Sequence, residues 1–176
     1  MIGPGSSSES WPVWRGPNGN GTSSEKGLLR KFPSGKPKQL WTAQIGEGWS
    51  TIAVADGRAF VSGNVAGTDT IAALNAKTGK LIWKYSYPCS PGDYGGPRAT
   101  PCVVGGIVYS VSREGVVYAL GADTGKLVWQ RAVAAETRCP IPTWGFSGST
   151  LVDGNRVYVN IGVSGAALDR ATGKIV

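Results

Sequence analysis

The sequence contains no histidine. A His general base, a His metal ligand and a Ser-His-Asp triad therefore cannot come from this chain. Its three cysteines, Cys89, Cys102 and Cys139, are spaced too widely for a CxxC metal or redox pair, and an odd count permits at most one internal disulfide. Charged residues are only 16% of the chain, which argues against an ensemble held open by charge. No apolar run approaches the roughly 18–20 residues of a membrane-spanning helix. Residues 1–10 are rich in Gly and Ser and carry no hydrophobic stretch of the kind a secretory signal requires.

Glycine is plentiful: 27 of 176 residues, roughly twice ordinary usage. Hydrophobic residues make up 41%, enough for a packed core. Eighteen basic side chains face eleven acidic ones, giving a net charge of +7. The excess gathers between residues 26 and 38, where Lys26, Arg30, Lys31, Lys36 and Lys38 meet no acid. No nucleic-acid-binding motif accompanies them, so the run reads as a solvated lead-in rather than a phosphate-binding face.

Internal repetition dominates the pattern. Thr78-Gly79-Lys80, Thr124-Gly125-Lys126 and Thr172-Gly173-Lys174 recur at intervals of 46 and 48 residues. Asp56-Gly57, Gly105-Gly106 and Asp153-Gly154 recur at 49 and 48. Trp83 and Trp129 each follow their threonine by five residues. A period in this range predicts a four-stranded propeller blade. In the second repeat, Gly105-Gly106 is a two-residue hairpin turn, and residues 107–112 alternate as a strand. The expectation is an all-β chain: a partial β-propeller of about three four-stranded antiparallel blades. Blade 1 spans 50–85, blade 2 spans 99–131, and blade 3 spans 147–176 without its complete last strand. Residues 1–38 form an irregular lead-in. Residues 39–45, with Trp41, read as an outer strand without a blade of its own. No window has helical periodicity.

The run Ala-x-Asp-x-x-Thr-Gly-Lys-x-x-Trp resembles the tryptophan-docking motif of the PQQ-type, or quinoprotein-like, β-propeller family. Residues 73–83 match it except for Asn75, residues 119–129 except for Gly121, and residues 167–176 up to the last residue, with Asp169 in place. The opening Trp11-Pro12-Val13-Trp14-Arg15-Gly16-Pro17-Asn18 resembles the start of bacterial PQQ-binding-like repeat proteins. The resemblance implies that Trp41, Thr78, Gly79, Trp83, Thr124, Gly125, Trp129, Asp169, Thr172 and Gly173 serve blade docking rather than quinone binding, since the motif recurs in every blade. It also implies an exported, periplasmic bacterial location. The family holds both assembly scaffolds and PQQ-dependent dehydrogenases. The dehydrogenases need a catalytic Asp, a calcium site and often a Cys-Cys pair; no Cys-Cys occurs here, and Glu47, Glu114 and Glu136 stand alone. The function expected is thus a non-catalytic interaction scaffold with no evident cofactor. The alternative is a piece of a dehydrogenase binding PQQ and calcium on the propeller axis.

Rings close with about four to eight blades, so three need company. It comes either from the rest of a longer polypeptide or from a second copy, whose residues 39–45 would complete blade 3 in a six-bladed homodimer. Protein is the expected partner, with no nucleic acid and no membrane span. Strand order puts the first and third turns of each blade on one face and the second turns and inter-blade connections on the other. Segments 63–69, 86–97 and 132–144 make the second face the looped one, and loops on a rigid scaffold carry binding. Tyr94, Arg98 and Trp144 are the candidate contacts there: Arg98 for a carboxylate or phosphate, Trp144 for stacking. The plainer alternative pairs Arg98 with a local acid and packs Trp144 between blades. Cys89 and Cys139 share this face and could be joined in an oxidising compartment, while Cys102 reads as a small buried residue.

Overall fold

The computed structural model describes residues 10–176. Three antiparallel sheets succeed one another along the chain, each hydrogen-bonded in sequence order. The first contains β1 (Ala53–Ala55), β2 (Arg58–Val65), β3 (Thr68–Asn75) and β4 (Leu81–Pro88); the second contains β5 (Cys102–Val104), β6 (Ile107–Val111), β7 (Val116–Gly121) and β8 (Leu127–Ala132). The third contains β9 (Leu151–Asp153), β10 (Arg156–Val159) and β11 (Ala166–Asp169). Ile175 bridges to Leu168, and the Val176 N–H donates to the Ala167 carbonyl, so a fourth strand begins on the edge of β11. This is a partial β-propeller.

The turns follow from residue type. Asp56-Gly57 (φ 48° and 71°) and Gly105-Gly106 (58° and 75°) adopt the left-handed values that a type I′ hairpin demands. Segment 63–69, expected as a longer loop, is instead a tight hairpin. The strands run on to Val65 and Thr68, and only Ala66-Gly67 turns the chain. Asn64 is the cause: its amide donates to Asp69 Oδ1 at 2.6 Å, and its Oδ1 accepts the Gly67 N–H at 3.1 Å. One helical turn, α1 (Val133–Glu136), follows β8 where no helical periodicity announced it.

Neighbouring sheets are joined by indoles lying on glycines. A Cβ on Gly125 would sit 2.6 Å from Trp83 Cδ2, and the Trp83 Nε1–H donates to the Ala122 carbonyl at 2.8 Å. Trp129 lies on Gly173 in the same way and donates to Arg170 O at 3.0 Å. Trp41 lies on Gly79 and donates to Ala76 O at 3.1 Å. Local hydrogen bonds set the turns: Asp169 Oδ1 accepts from the Ala171 and Thr172 N–H groups and the Thr172 hydroxyl, and Asn75 Oδ1 accepts from the Lys77 and Thr78 N–H groups. These bonds to Thr172 hold the Asp169 carboxyl below the usual carboxylate range. Residues 39–45 carry Trp41 but join no ladder among the described residues, so the expected outer strand is absent as such. A strand needs a hydrogen-bonded neighbour, and among the described residues this segment lies against the first sheet without pairing to a strand of it.

Between the first two sheets lies a core of Phe60, Ile71, Trp83, Val108 and Leu120; between the second and third lies one of Tyr109, Val117, Trp129, Val157 and Leu168. The sheets meet at their first strands. The Thr51 and Thr100 hydroxyls hydrogen-bond at 2.8 Å, and the Thr100 N–H donates to Ser149 Oγ at 2.9 Å. These three residues recur at 49-residue intervals just before β1, β5 and β9, which places the first strands at the propeller axis.

Two substitutions test the docking contact. Trp83→Ala is expected to cost about 3–5 kcal/mol in urea unfolding. Gly125→Ala, strained at φ 67° and pressed onto the Trp83 ring, is expected to cost about 1–3 kcal/mol. Exposed Lys126→Ala should stay within about 0.5 kcal/mol of the parent.

Candidate functional site

On the looped face, the connection from β4 to β5 and the connection from β8 to β9 meet. Tyr94 from the first and Trp144 from the second bring their rings to 4.5 Å between centroids, tilted by 51°. Both remain half exposed, at 51% and 53%. Arg98 points back into its own loop: Nη1 donates to Gly96 O at 3.3 Å and Nη2 to Tyr94 O at 3.2 Å. Its hydrogen-bond partners are thus backbone carbonyls rather than an acid, and it braces the segment that presents Tyr94. Trp144 leans on Tyr94 rather than packing into a core between sheets.

The residues that hold this pair in place escaped the sequence reading. Arg113 and Glu114, at the tip of the tight β6–β7 turn, grip both connections. Glu114 Oε1 accepts the Ser90 N–H at 3.1 Å; Arg113 Nη2 donates to Thr143 O at 3.2 Å, and its backbone carbonyl accepts the Phe146 N–H at 3.0 Å. The Arg113 side chain lies flush against Gly92 on one side and Gly145 on the other, both at positive φ, where a Cβ would collide with it. Tyr94 follows Gly92 by two residues and Trp144 precedes Gly145 by one, so Arg113 sets the distance between the rings. The available signal was glycine placement: each aromatic sits beside a glycine in a loop facing a charged turn.

Beneath the first connection lies a buried polar group. Asn64 donates to both Asp69 Oδ1 and Cys89 O, tying the loop base to the β2–β3 hairpin. Asp69 is 1% exposed, and its Oδ2 and the Tyr87 hydroxyl make no hydrogen bond of good geometry. Burial raises the Asp69 carboxyl above the ordinary carboxylate range, against the lowering influence of Asn64, Cys89 and Tyr87. Burial and the neighbouring Asp69 charge push the Cys89 thiol up to about 12. All three cysteines are free thiols; Cys89 and Cys102 are buried and Cys139 is partly exposed, so Cys89 and Cys139 are not joined.

Among the described residues, no three His, Cys, Asp or Glu side chains gather where they could hold a metal ion. Concavities of ≈450 and ≈610 Å³ lie elsewhere, against Trp129 and Arg170 and on the outer face of the first sheet under residues 43–46. The looped face is a surface with protruding rings.

Two outcomes follow. A raised carboxyl pKa destabilises the fold as pH climbs from the ordinary carboxylate value through the raised one, because the folded state then holds an ionised buried group that the unfolded state solvates. Asp69→Asn is expected to remove that loss, flattening the pH dependence of unfolding measured in urea between pH 4 and 8. Thiol titration of the native protein should show one readily reacting group, Cys139, with Cys89 and Cys102 reacting only after denaturation.

A family model described as outer membrane protein assembly factor BamB matches residues 25–176. Comparison with curated protein sequences returns no significant match. Among solved structures, a europium-containing methanol dehydrogenase aligns over 79% of this chain at 22% identity and a TM-score of 0.60. A quinohemoprotein alcohol dehydrogenase from Comamonas testosteroni aligns over 74% at 25% identity and 0.58. The computationally designed Ika4 protein aligns over 80% at 17% identity and 0.51. The chain spans 26% of the methanol dehydrogenase, 20% of the alcohol dehydrogenase and 78% of the designed protein. With its sheets joined by docked indoles and the family model covering most of the sequence, the chain belongs to the PQQ-like β-propeller repeat family that includes the assembly factor BamB.

Proposed function

We propose that this chain is a binding module of an exported bacterial propeller, which offers its looped face to a protein partner and performs no chemistry of its own. One observation carries the reading: Tyr94 and Trp144 stand half exposed on loops that Arg113, Gly92 and Gly145 hold rigidly. Large aromatics in a fixed, solvent-facing position contribute little to a core and much to an interface. Rigid loops also reduce the ordering cost of association. The family description as an outer membrane assembly factor supports a protein partner and a periplasmic location.

The second reading is a portion of a PQQ-dependent dehydrogenase, favoured by the likeness of fold to the methanol and alcohol dehydrogenases. Two arrangements supply the missing blades under either reading: continuation of the same polypeptide, or a second copy closing the ring. Light scattering separates them, giving one chain mass or two.

A photo-crosslinker placed at Trp144 is expected to trap a discrete protein adduct in envelope extracts. One placed at exposed Lys84, on the flank of the first sheet, should trap none. Tyr94→Ala, with the crosslinker retained, is expected to weaken adduct formation about tenfold or more, the scale of a single aromatic anchor. Addition of PQQ and Ca²⁺ tests the other reading: a bound-quinone absorbance or dye reduction would replace the scaffold reading.

A further inference from the structure

The scaffold reading leaves the Trp11–Gly16 motif unexplained, and its position is unexpected for an irregular lead-in. Trp11 pairs with Val54 on the free edge of β1: its N–H donates to Val54 O at 2.7 Å, and its carbonyl accepts the Val54 N–H at 2.9 Å. The next carbonyl, Pro12 O, accepts the Val103 N–H of β5 at 2.8 Å. Val54 and Val103 are equivalent positions 49 residues apart. Their N–H groups point away from β2 and β6, to the edge where Trp11 O and Pro12 O accept them. Two consecutive residues, Trp11 and Pro12, thus cross from the inner edge of one blade to the inner edge of the next.

The fit is chemical as well as geometric. Proline suits the middle position because only its carbonyl is used and it has no N–H to leave unpaired. Val13 packs against the core between the second and third sheets. Gly16, at φ 79°, closes over the Trp11 ring, whose atoms would lie 2.7 Å from a Cβ there. The strap is separable from the blades: residues 17–40, which connect it to the first sheet, are exposed throughout. Without it, the inner edges of β1 and β5 would present open N–H and C=O groups, the usual target of strand addition.

We infer that the inner edges of β1 and β5 form a docking site for an extended aromatic-proline-aliphatic peptide segment, which Trp11-Pro12-Val13 fills in cis. A partner segment of the same chemistry enters only by displacing the strap, so the axial site is self-inhibited. This surface is distinct from the Tyr94–Trp144 pair, and its test does not depend on that pair.

The experiment uses the full chain, Gly16→Ala to dislodge the strap, and a labelled synthetic peptide of residues 10–16. Amide hydrogen exchange followed by NMR reads Val54 and Val103 individually. In the parent both are expected to be protected, with no response to peptide. In Gly16→Ala both should exchange at least tenfold faster while the amides of β3 and β7 keep their protection. Added peptide, but not a scrambled one, should restore protection at both. Should Gly16→Ala disturb β3 or β7, Trp11→Ala serves instead, since it removes the ring without a clash. Unchanged exchange at Val54 and Val103 in a strap variant, or exposed amides that saturating peptide fails to protect, would overturn the inference.

Discussion

An indole lying flat on a glycine is the contact on which the molecule depends. Only glycine tolerates both the positive φ of the turn and the ring pressed against its Cα, and only a ring of this size spans from one sheet to the next turn. The accompanying Nε1–H bond to a backbone carbonyl fixes the angle of approach, since a buried donor left unpaired would be costly. Trp83 and Trp129 make this contact from one sheet to the next, and Trp41 makes it from the segment that precedes the first sheet. The first strands of the sheets are thereby gathered at the axis, where the Thr51, Thr100 and Ser149 hydroxyls tie them together.

That regular stack divides the two faces. One face is trimmed to glycine-bearing hairpins and Thr-Gly-Lys turns whose side chains are spent on their own backbone. The other carries the connections that bridge adjacent sheets, and these are long enough to be shaped. Their shape comes from one tight turn: Arg113 and Glu114 sit between two connections and hold each by a backbone atom. Asn64 and Asp69 anchor the base of the first connection from below, at the expense of burying a carboxylate oxygen without a partner. At the inner edges, meanwhile, Trp11 and Pro12 bond to the free strand edges of two blades.

Much of the fold was legible in residue order because it rests on local rules that recur from blade to blade. Asp-Gly and Gly-Gly turns, alternation along β6 and the five-residue step from threonine to tryptophan each require only near neighbours. The departures share a cause. The β2–β3 turn looked long because Gly63 and Asp69 read as loop residues; a side-chain pair, Asn64 with Asp69, zipped it shut. Residues 39–45 looked like a strand because their pattern suits one, yet a strand exists only with a neighbour to bond. Of the candidate site, the three residues chosen are on the looped face, and Tyr94 and Trp144 do touch. Arg98 proved to be a brace for its own loop, and Arg113 was missed because a turn residue's reach across two distant loops leaves no local pattern.

Repeat period, turn chemistry and the identity of the docking residues were set by the order of amino acids alone, because each arises from conformational preferences within a few residues. The meeting of Tyr94 with Trp144, the burial of Asp69 and the passage of Trp11-Pro12-Val13 across the axis were decided only when the sheets stacked. The Tyr94–Trp144 contact and the bonds of Trp11 and Pro12 join positions about 40 to 90 residues apart, a separation at which backbone propensity carries no information and packing alone selects the partner.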